Sequence, residues 1–200
     1  ALSGLRNTAV GADAGTALTT GDDNTLVGYQ AGDAMTTGVG RNTAVGVSAL
    51  GAMDTGTDST AVGYRALLLD TGGLNVAIGS RAMDANAGGN SHVAIGVDAL
   101  GAETGSVGCV AIGLSAGAAI VGAGDYNIFI GYNAGLLATG TSNVGVGARV
   151  LDALTSGVRV TAVGVDALGA IVTANDSTAV GYNALALDTG GSNTAVGSGA

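Results

Sequence analysis

The chain has 200 residues, of which 38 are glycine and none is proline, lysine or tryptophan; 47% are hydrophobic, 10% are charged, and the net charge is −9. The near absence of helix formers other than Ala and Leu excludes long helices, and so large a hydrophobic share with so little charge excludes a disordered chain. Six scattered arginines make no basic patch for nucleic acid, the single Cys109 excludes an intrachain disulfide framework, and the lack of a long apolar run excludes membrane insertion of this segment.

The first predicted element is the phrase Asn7-Thr8-Ala9-Val10-Gly11. It returns, with variation, at glycines 28, 46, 63, 79, 96, 113, 131, 147, 164, 181 and 197, at intervals of 16 to 18 residues. A period this short and regular predicts a solenoid wound one coil at a time, not a globular enzyme. The expected fold is therefore all-β: a parallel β-solenoid (a β-roll or β-helix) of about 12 coils with ~17 residues per coil. Residues 1–200 read as one repeat solenoid. The repeat runs from Asn7 and stops mid-phrase at Ala200 without polar capping units, so we expect a segment of a longer fibrous protein.

Within a coil, positions are counted from the repeat glycine as zero. Position −1 is Val or Ile throughout, and position −3 is Thr, Val or Ile. Both are β-branched and two apart, so they predict a short strand with these side chains on one face. The two columns enlarge together at Val76/Ile78, Val93/Ile95, Val110/Ile112 and Ile128/Ile130, which predicts that they face a shared interior. Position −2 then points outward. It is alanine except at Leu26, Phe129 and Gly145; the missing side chain of Gly145 makes room for the Phe129 ring one coil away.

On this reading Ala9, Ala44, Ala61, Ala77, Ala94, Ala111, Ala162, Ala179 and Ala195 form a smooth stripe exposing about 800 Å². A patch of that size predicts self-association through the alanines. The alternative is a two-layer roll in which both faces are internal and no partner is needed.

After the glycine, position +2 is polar and reads as solvent-facing, with Arg81 beside Asp98 and Arg149 beside Asp166 as exposed ion pairs. Position +3 is alanine in all coils but one, and position +4 is Leu, Met or Gly. Thr-Gly corners follow, as at Thr20-Gly21, Thr37-Gly38, Thr55-Gly56, Thr71-Gly72, Thr104-Gly105, Thr139-Gly140 and Thr189-Gly190, where glycine is expected to supply a positive φ. Each coil is thus expected to hold two short strands and two turns.

The phrases Asn193-Thr194-Ala195-Val196-Gly197, Ser177-Thr178-Ala179-Val180-Gly181-Tyr182-Asn183-Ala184-Leu185 and Val93-Ala94-Ile95-Gly96 resemble two related families. One is the repetitive shaft of phage and bacterial tail-fibre-domain proteins, with repeats of the NTAVGYNAL type and a Thr-Gly turn. The other is the head of trimeric autotransporter adhesins, with SVAIG repeats at a shorter period. The longer coil favours the tail-fibre group. The resemblance implies a homotrimer of parallel β-rolls, left-handed in the adhesin heads. It also implies an extracellular place on a virion tail fibre or bacterial surface, with attachment to a host or cell surface through a glycan or protein. The alternative is an autotransporter-type adhesin head that binds matrix or glycans directly. A solenoid polysaccharide-degrading enzyme ranks below both, because the aspartates are spread among turns.

Residues suited to chemistry are few. His92 and Cys109 both sit at position −4, in consecutive coils, and invite a nucleophilic or metal reading. The same column is otherwise mostly Asn, and no orienting carboxylate recurs nearby, so a tolerant structural ladder is expected. Gly21-Asp22-Asp23 and Gly124-Asp125 suit calcium, but the nine-residue calcium-solenoid pattern is missing. Tyr29, Tyr64, Tyr132 and Tyr182 at position +1 suit sugar stacking, but Val47, Val97, Leu114 and Val165 share their column, which favours packing. The threonine column does not suit ice binding, because Val or Ile interrupts it and because it is expected to face inward. No catalytic residue, cofactor or metal site is expected.

Overall fold

The structure, a computed structural model, describes residues 4–36, 39–121, 125–187 and 190–200; the predicted corner Thr37-Gly38, Gly124 and Thr189 lie outside the described residues. Among the described residues there are twelve strands and no helix. They are β1 (Thr8–Val10), β2 (Thr25–Val27), β3 (Thr43–Val45), β4 (Thr60–Val62), β5 (Val76–Ile78), β6 (Val93–Ile95), β7 (Val110–Ile112), β8 (Ile128–Ile130), β9 (Val144–Val146), β10 (Thr161–Val163), β11 (Thr178–Val180) and β12 (Thr194–Val196). Each is the −3 to −1 triplet of the repeat. All pair in parallel in one sheet in sequence order. The register is one-to-one, so Val10, Val27 and Val45 lie directly over one another. At about 4.8 Å per step the sheet runs roughly 53 Å. The chain is an all-β parallel β-solenoid with about 17 residues per turn.

The repeat glycines set the spacing. Gly96 has φ +140°, and a Cβ there would strike the carbonyl oxygen of Gly113 on the next coil. Neither the torsion nor the contact admits a side chain.

The second side of the coil is not a strand, contrary to expectation. Positions +2 and +4 both take left-handed backbone, as at Arg81 (φ 56°) and Met83 (φ 51°), or Asp98 (φ 56°) and Leu100 (φ 49°). Alternating left-handed residues fold this side into successive turns, tied within the coil and between coils: Leu100 N–H donates to Ala116 O (3.0 Å) and Glu103 N–H to Leu100 O (3.2 Å). The corners differ in part. Gly105 adopts positive φ (90°) as expected, whereas Gly21, Gly56, Gly72 and Gly140 do not. Glycine is needed there for room: a Cβ would strike the backbone of the next coil at Gly21, Gly72 and Gly140, and Met53 at Gly56.

The two faces of the strand are the reverse of those expected. Ala44, Ala61, Ala77, Ala94, Ala111, Ala162 and Ala179 are wholly buried, while the −1 and −3 side chains face out, with Ile78 at 40% and Val45 at 37% exposure. The two sides of a coil approach closely, so position −2 holds nothing larger than alanine unless its neighbours are glycine. Ala at −2 meets Ala at +3 and Leu or Met at +4, all buried. Where −2 is large, +4 shrinks. Leu26 lies between Gly15 and Gly32, whose added Cβ atoms would come within 2.8 and 2.9 Å of it. Phe129 is wholly buried among Gly117, Gly135 and Gly145, and a Cβ on Gly145 would lie 3.1 Å from its ring, as the pairing of those two residues anticipates.

Candidate functional site

Three features of this frame carry chemistry: the outward sheet face, the exposed charge ladders and the interior polar columns.

The outward face is built by the −1 and −3 columns and flanked by position +1. The alanine stripe is therefore no self-association surface: its central members are sealed inside one chain, and only the end-coil residues Ala9 and Ala195 keep exposure. The apolar surface lies on the opposite face of the same strands. It includes Val10, Val45, Ile78, Ile128, Ile130, Val163, Val180 and Val196. The tyrosines border it, half exposed at 49 to 57%, beside the similarly exposed Val47, Val97, Leu114 and Val165. The +1 column is thus surface, not packing. The threonines also face outward, at Thr8, Thr25, Thr43, Thr60, Thr161, Thr178 and Thr194. Their interruption from Val76 to Val144 still breaks any regular hydroxyl array.

The predicted ion pairs form. Arg81 Nε and Nη2 donate to the two oxygens of Asp98 (2.7 Å each), and Arg149 grips Asp166 in the same way (2.7 and 2.6 Å). A second ladder at position −5 holds Arg41–Asp58, Arg159–Asp176 and Arg6–Asp23 in the same bidentate geometry. Hydrogen bonds from these guanidinium groups hold the carboxyls of Asp23, Asp58 and Asp176 below their ordinary range. Asp22 Oδ1 accepts from Leu5 N–H (2.6 Å) and Asp125 Oδ1 from Val107 N–H (2.8 Å), so these turn aspartates are occupied by protein donors. Among the described residues no group of three or more His, Cys, Asp or Glu is placed to hold a metal ion.

Inside, position −4 is a side-chain ladder interrupted at Val160. From Asn7 to Asn143 each asparagine amide oxygen accepts the backbone N–H of the −4 residue in the next coil, and its amide nitrogen donates to a corner carbonyl. Asn24 Nδ2 donates to Val39 O (3.1 Å) and Asn24 Oδ1 accepts from Asn42 N–H (3.0 Å). Asn143 donates to Gly157 O (2.7 Å) and accepts from Val160 N–H (3.0 Å). His92 imitates this arrangement. Its Nδ1 accepts Cys109 N–H (3.0 Å), its Nε2 meets Ser106 O (3.0 Å), and its own N–H donates to Asn75 Oδ1 (3.0 Å). These partners require a neutral ring carrying its proton on Nε2. Burial pushes the His92 pKa down, against the opposing pull of Glu103, and pushes the Cys109 thiol up. His92 and Cys109 do stack, and their role is that of ladder rungs.

An orienting carboxylate does lie nearby, contrary to expectation. Glu103 is wholly buried, with Oε2 3.7 Å from His92 Nε2. It belongs to position +7, where most other coils carry Leu18, Met35, Met53, Ile120, Leu154 or Ile171. Asp70 and Asn86 precede it in the same column, also wholly buried. Asp70 is fully partnered: Oδ1 accepts from Asn86 Nδ2 (2.8 Å), Asn75 Nδ2 (3.1 Å) and the N–H groups of Gly72 (3.1 Å) and Gly73 (3.4 Å), and Oδ2 accepts from the Ser59 hydroxyl (2.9 Å). Glu103 is half partnered. Oε1 accepts from Ser106 N–H (2.6 Å) and the Ser106 hydroxyl (2.5 Å), while Oε2 has no hydrogen-bond partner among the described residues. The acidity is therefore not all surface acidity. Reading the +7 column down the repeat would have found all three residues. The cluster is sealed from solvent, so it offers no substrate access.

No protein-family model matches the chain, and no curated protein or solved structure matches it.

Proposed function

We propose that the chain is a structural and adhesive fibre segment: an extracellular β-solenoid shaft that associates with two further copies of itself and holds a receptor-binding part away from a virion or bacterial surface. The observation that carries this reading is the outward sheet face. Twelve strands in register turn Thr, Val and Ile side chains to solvent along the whole rod. At roughly 15 Å wide, with position +1 included, the face amounts to about 800 Å² per copy, the area that a stable interface buries on each partner. Monomers rarely leave so large an apolar patch bare. Three copies and a left-handed wind follow from the likeness of the NTAVG phrases to tail-fibre shafts and adhesin heads.

The test is the mass of the purified chain by light scattering. A trimer is expected; a stable monomer at micromolar concentration sinks the reading. Ile95→Asp, on the outer face of β6, is expected to dissociate the assembly while leaving the far-ultraviolet spectrum of each chain unchanged, since no interior contact is touched. A second reading, an adhesin head that binds glycans along its sides, is favoured by the half-exposed tyrosines Tyr29, Tyr64, Tyr132 and Tyr182. A glycan array separates the two, because a bare shaft binds nothing on it.

A further inference from the structure

We infer that His92 is an acid-sensitive rung, so that protonation of its Nδ1 opens the solenoid between the coils that carry His92 and Cys109. The ladder at position −4 is otherwise Asn, Ser, Val and Cys; the first three do not titrate, and burial pushes the Cys109 thiol up, away from the range between pH 8 and 5. His92 alone gains a proton in that range, and both of its ring nitrogens are committed. Nδ1 must keep a lone pair to accept Cys109 N–H at 3.0 Å. A proton on Nδ1 sets two donors face to face, and Cys109 N–H loses its acceptor inside the core.

The neighbouring charges do not relieve this. The titratable groups around the ring are Glu103, Asp70 and the Cys109 thiol. Glu103 Oε2 lies on the Nε2 side, at 3.7 Å, where a proton is already directed to Ser106 O. Asp70 is held by Asn75, Asn86 and Ser59. Both carboxylates favour a charged ring through space, yet neither can accept the new Nδ1 proton, and burial prevails. The sign follows. The ring takes up a proton less readily in the closed coil than in an opened one. Its contribution to closure is therefore complete above the ordinary histidine value of about 6.5 and is lost as pH falls below it.

The experiment is hydrogen exchange on the full chain, resolved to single amides and expressed as protection factors. Cys109 N–H, bonded to His92, is compared with Asn143 N–H, bonded to Asn127 Oδ1 at 2.9 Å. The Cys109 to Asn143 ratio is expected to fall from pH 7.5 to pH 5.5, by up to about tenfold, the limit set by an opened-state value of about 6.5. In His92→Asn, which restores the rung used elsewhere in the column, the ratio is expected to stay flat. A flat ratio in the unaltered chain overturns the inference, as does an equal fall in the variant. The comparison within the unaltered chain stands even if the variant does not fold.

Discussion

Among the described residues, position +7 is Leu18, Met35 and Met53 in the first three coils and Ile120, Ala138, Leu154 and Ile171 in later ones; between them it is Asp70, Asn86 and Glu103, and Asp188 lies outside the described residues. All the described members are buried. The outer face changes in the opposite sense. Its −3 column is threonine at both ends, from Thr8 to Thr60 and from Thr161 to Thr194, and Val or Ile from Val76 to Val144. Central coils thus place polar groups inside and the most apolar groups outside, where the two runs overlap. The backbone does not register the change: the strands pair in one register throughout. The coil is held by its backbone ladders and its glycines, and the columns hung on it vary independently. In the proposed assembly, covering the outer face with further copies would bury the most apolar surface at the centre.

The largest effect expected on that comparison comes from the interior carboxylates, which differ in how well they are partnered. Asp70→Leu makes the column match the ends but strands the donors of Ser59, Asn75, Asn86, Gly72 and Gly73. It is expected to cost about 3–5 kcal/mol in urea unfolding, the usual cost of breaking a buried charged network from one side. Glu103→Ile makes the same change of polarity yet strands only the two Ser106 donors and removes an oxygen that has no partner among the described residues. It is expected to shift stability by about 1 kcal/mol or less in either direction. Equal losses in the two variants would mean that apolar burial, not hydrogen-bond satisfaction, decides what the centre tolerates.

The period and the strands were legible in the sequence, because Gly96 and its eleven counterparts admit no side chain and so mark every coil. The faces were misread. Hydrophobic ranking puts Val and Ile inside and leaves Ala outside, but the interior is narrower than that ranking assumes. Two signals carried the correct answer. Threonine alternates with valine at −3, which a sealed apolar core resists because each hydroxyl would need a partner. Leucine and phenylalanine at −2 occur where +4 is glycine, as Leu26 does with Gly15 and Gly32, which means that −2 and +4 share one interior. The turn side was misread for a related reason. Leu, Met and Gly share position +4, a mixture that reads as a tolerant strand position; the glycine marks left-handed backbone, which leucine also adopts here at φ 49–53°. Burial of the leucine side chain offsets that torsional cost. The acid at +7 gave no local signal, since Asp and Glu in a turn-rich chain read as surface. The outward apolar face could be placed only once the strand orientation was known.

A smaller effect tests the size exchange by moving end-type packing into the centre. Ala94→Leu puts a large residue at −2 against Met83 and Leu100, the +4 residues of the preceding coil and its own, all wholly buried. Overpacking of this kind costs about 1–3 kcal/mol. Adding Met83→Gly and Leu100→Gly recreates the surroundings of Leu26, and both new glycines fall at left-handed positions (φ 51° and 49°) that glycine accepts without strain. The triple variant is expected to recover most of the loss in urea midpoint, although each glycine alone leaves a void and destabilises. Such non-additivity is the mark of side chains that share one cavity. If the three substitutions simply add, −2 and +4 do not trade volume, and the central coils are shaped by their polar column instead of by the width of the coil.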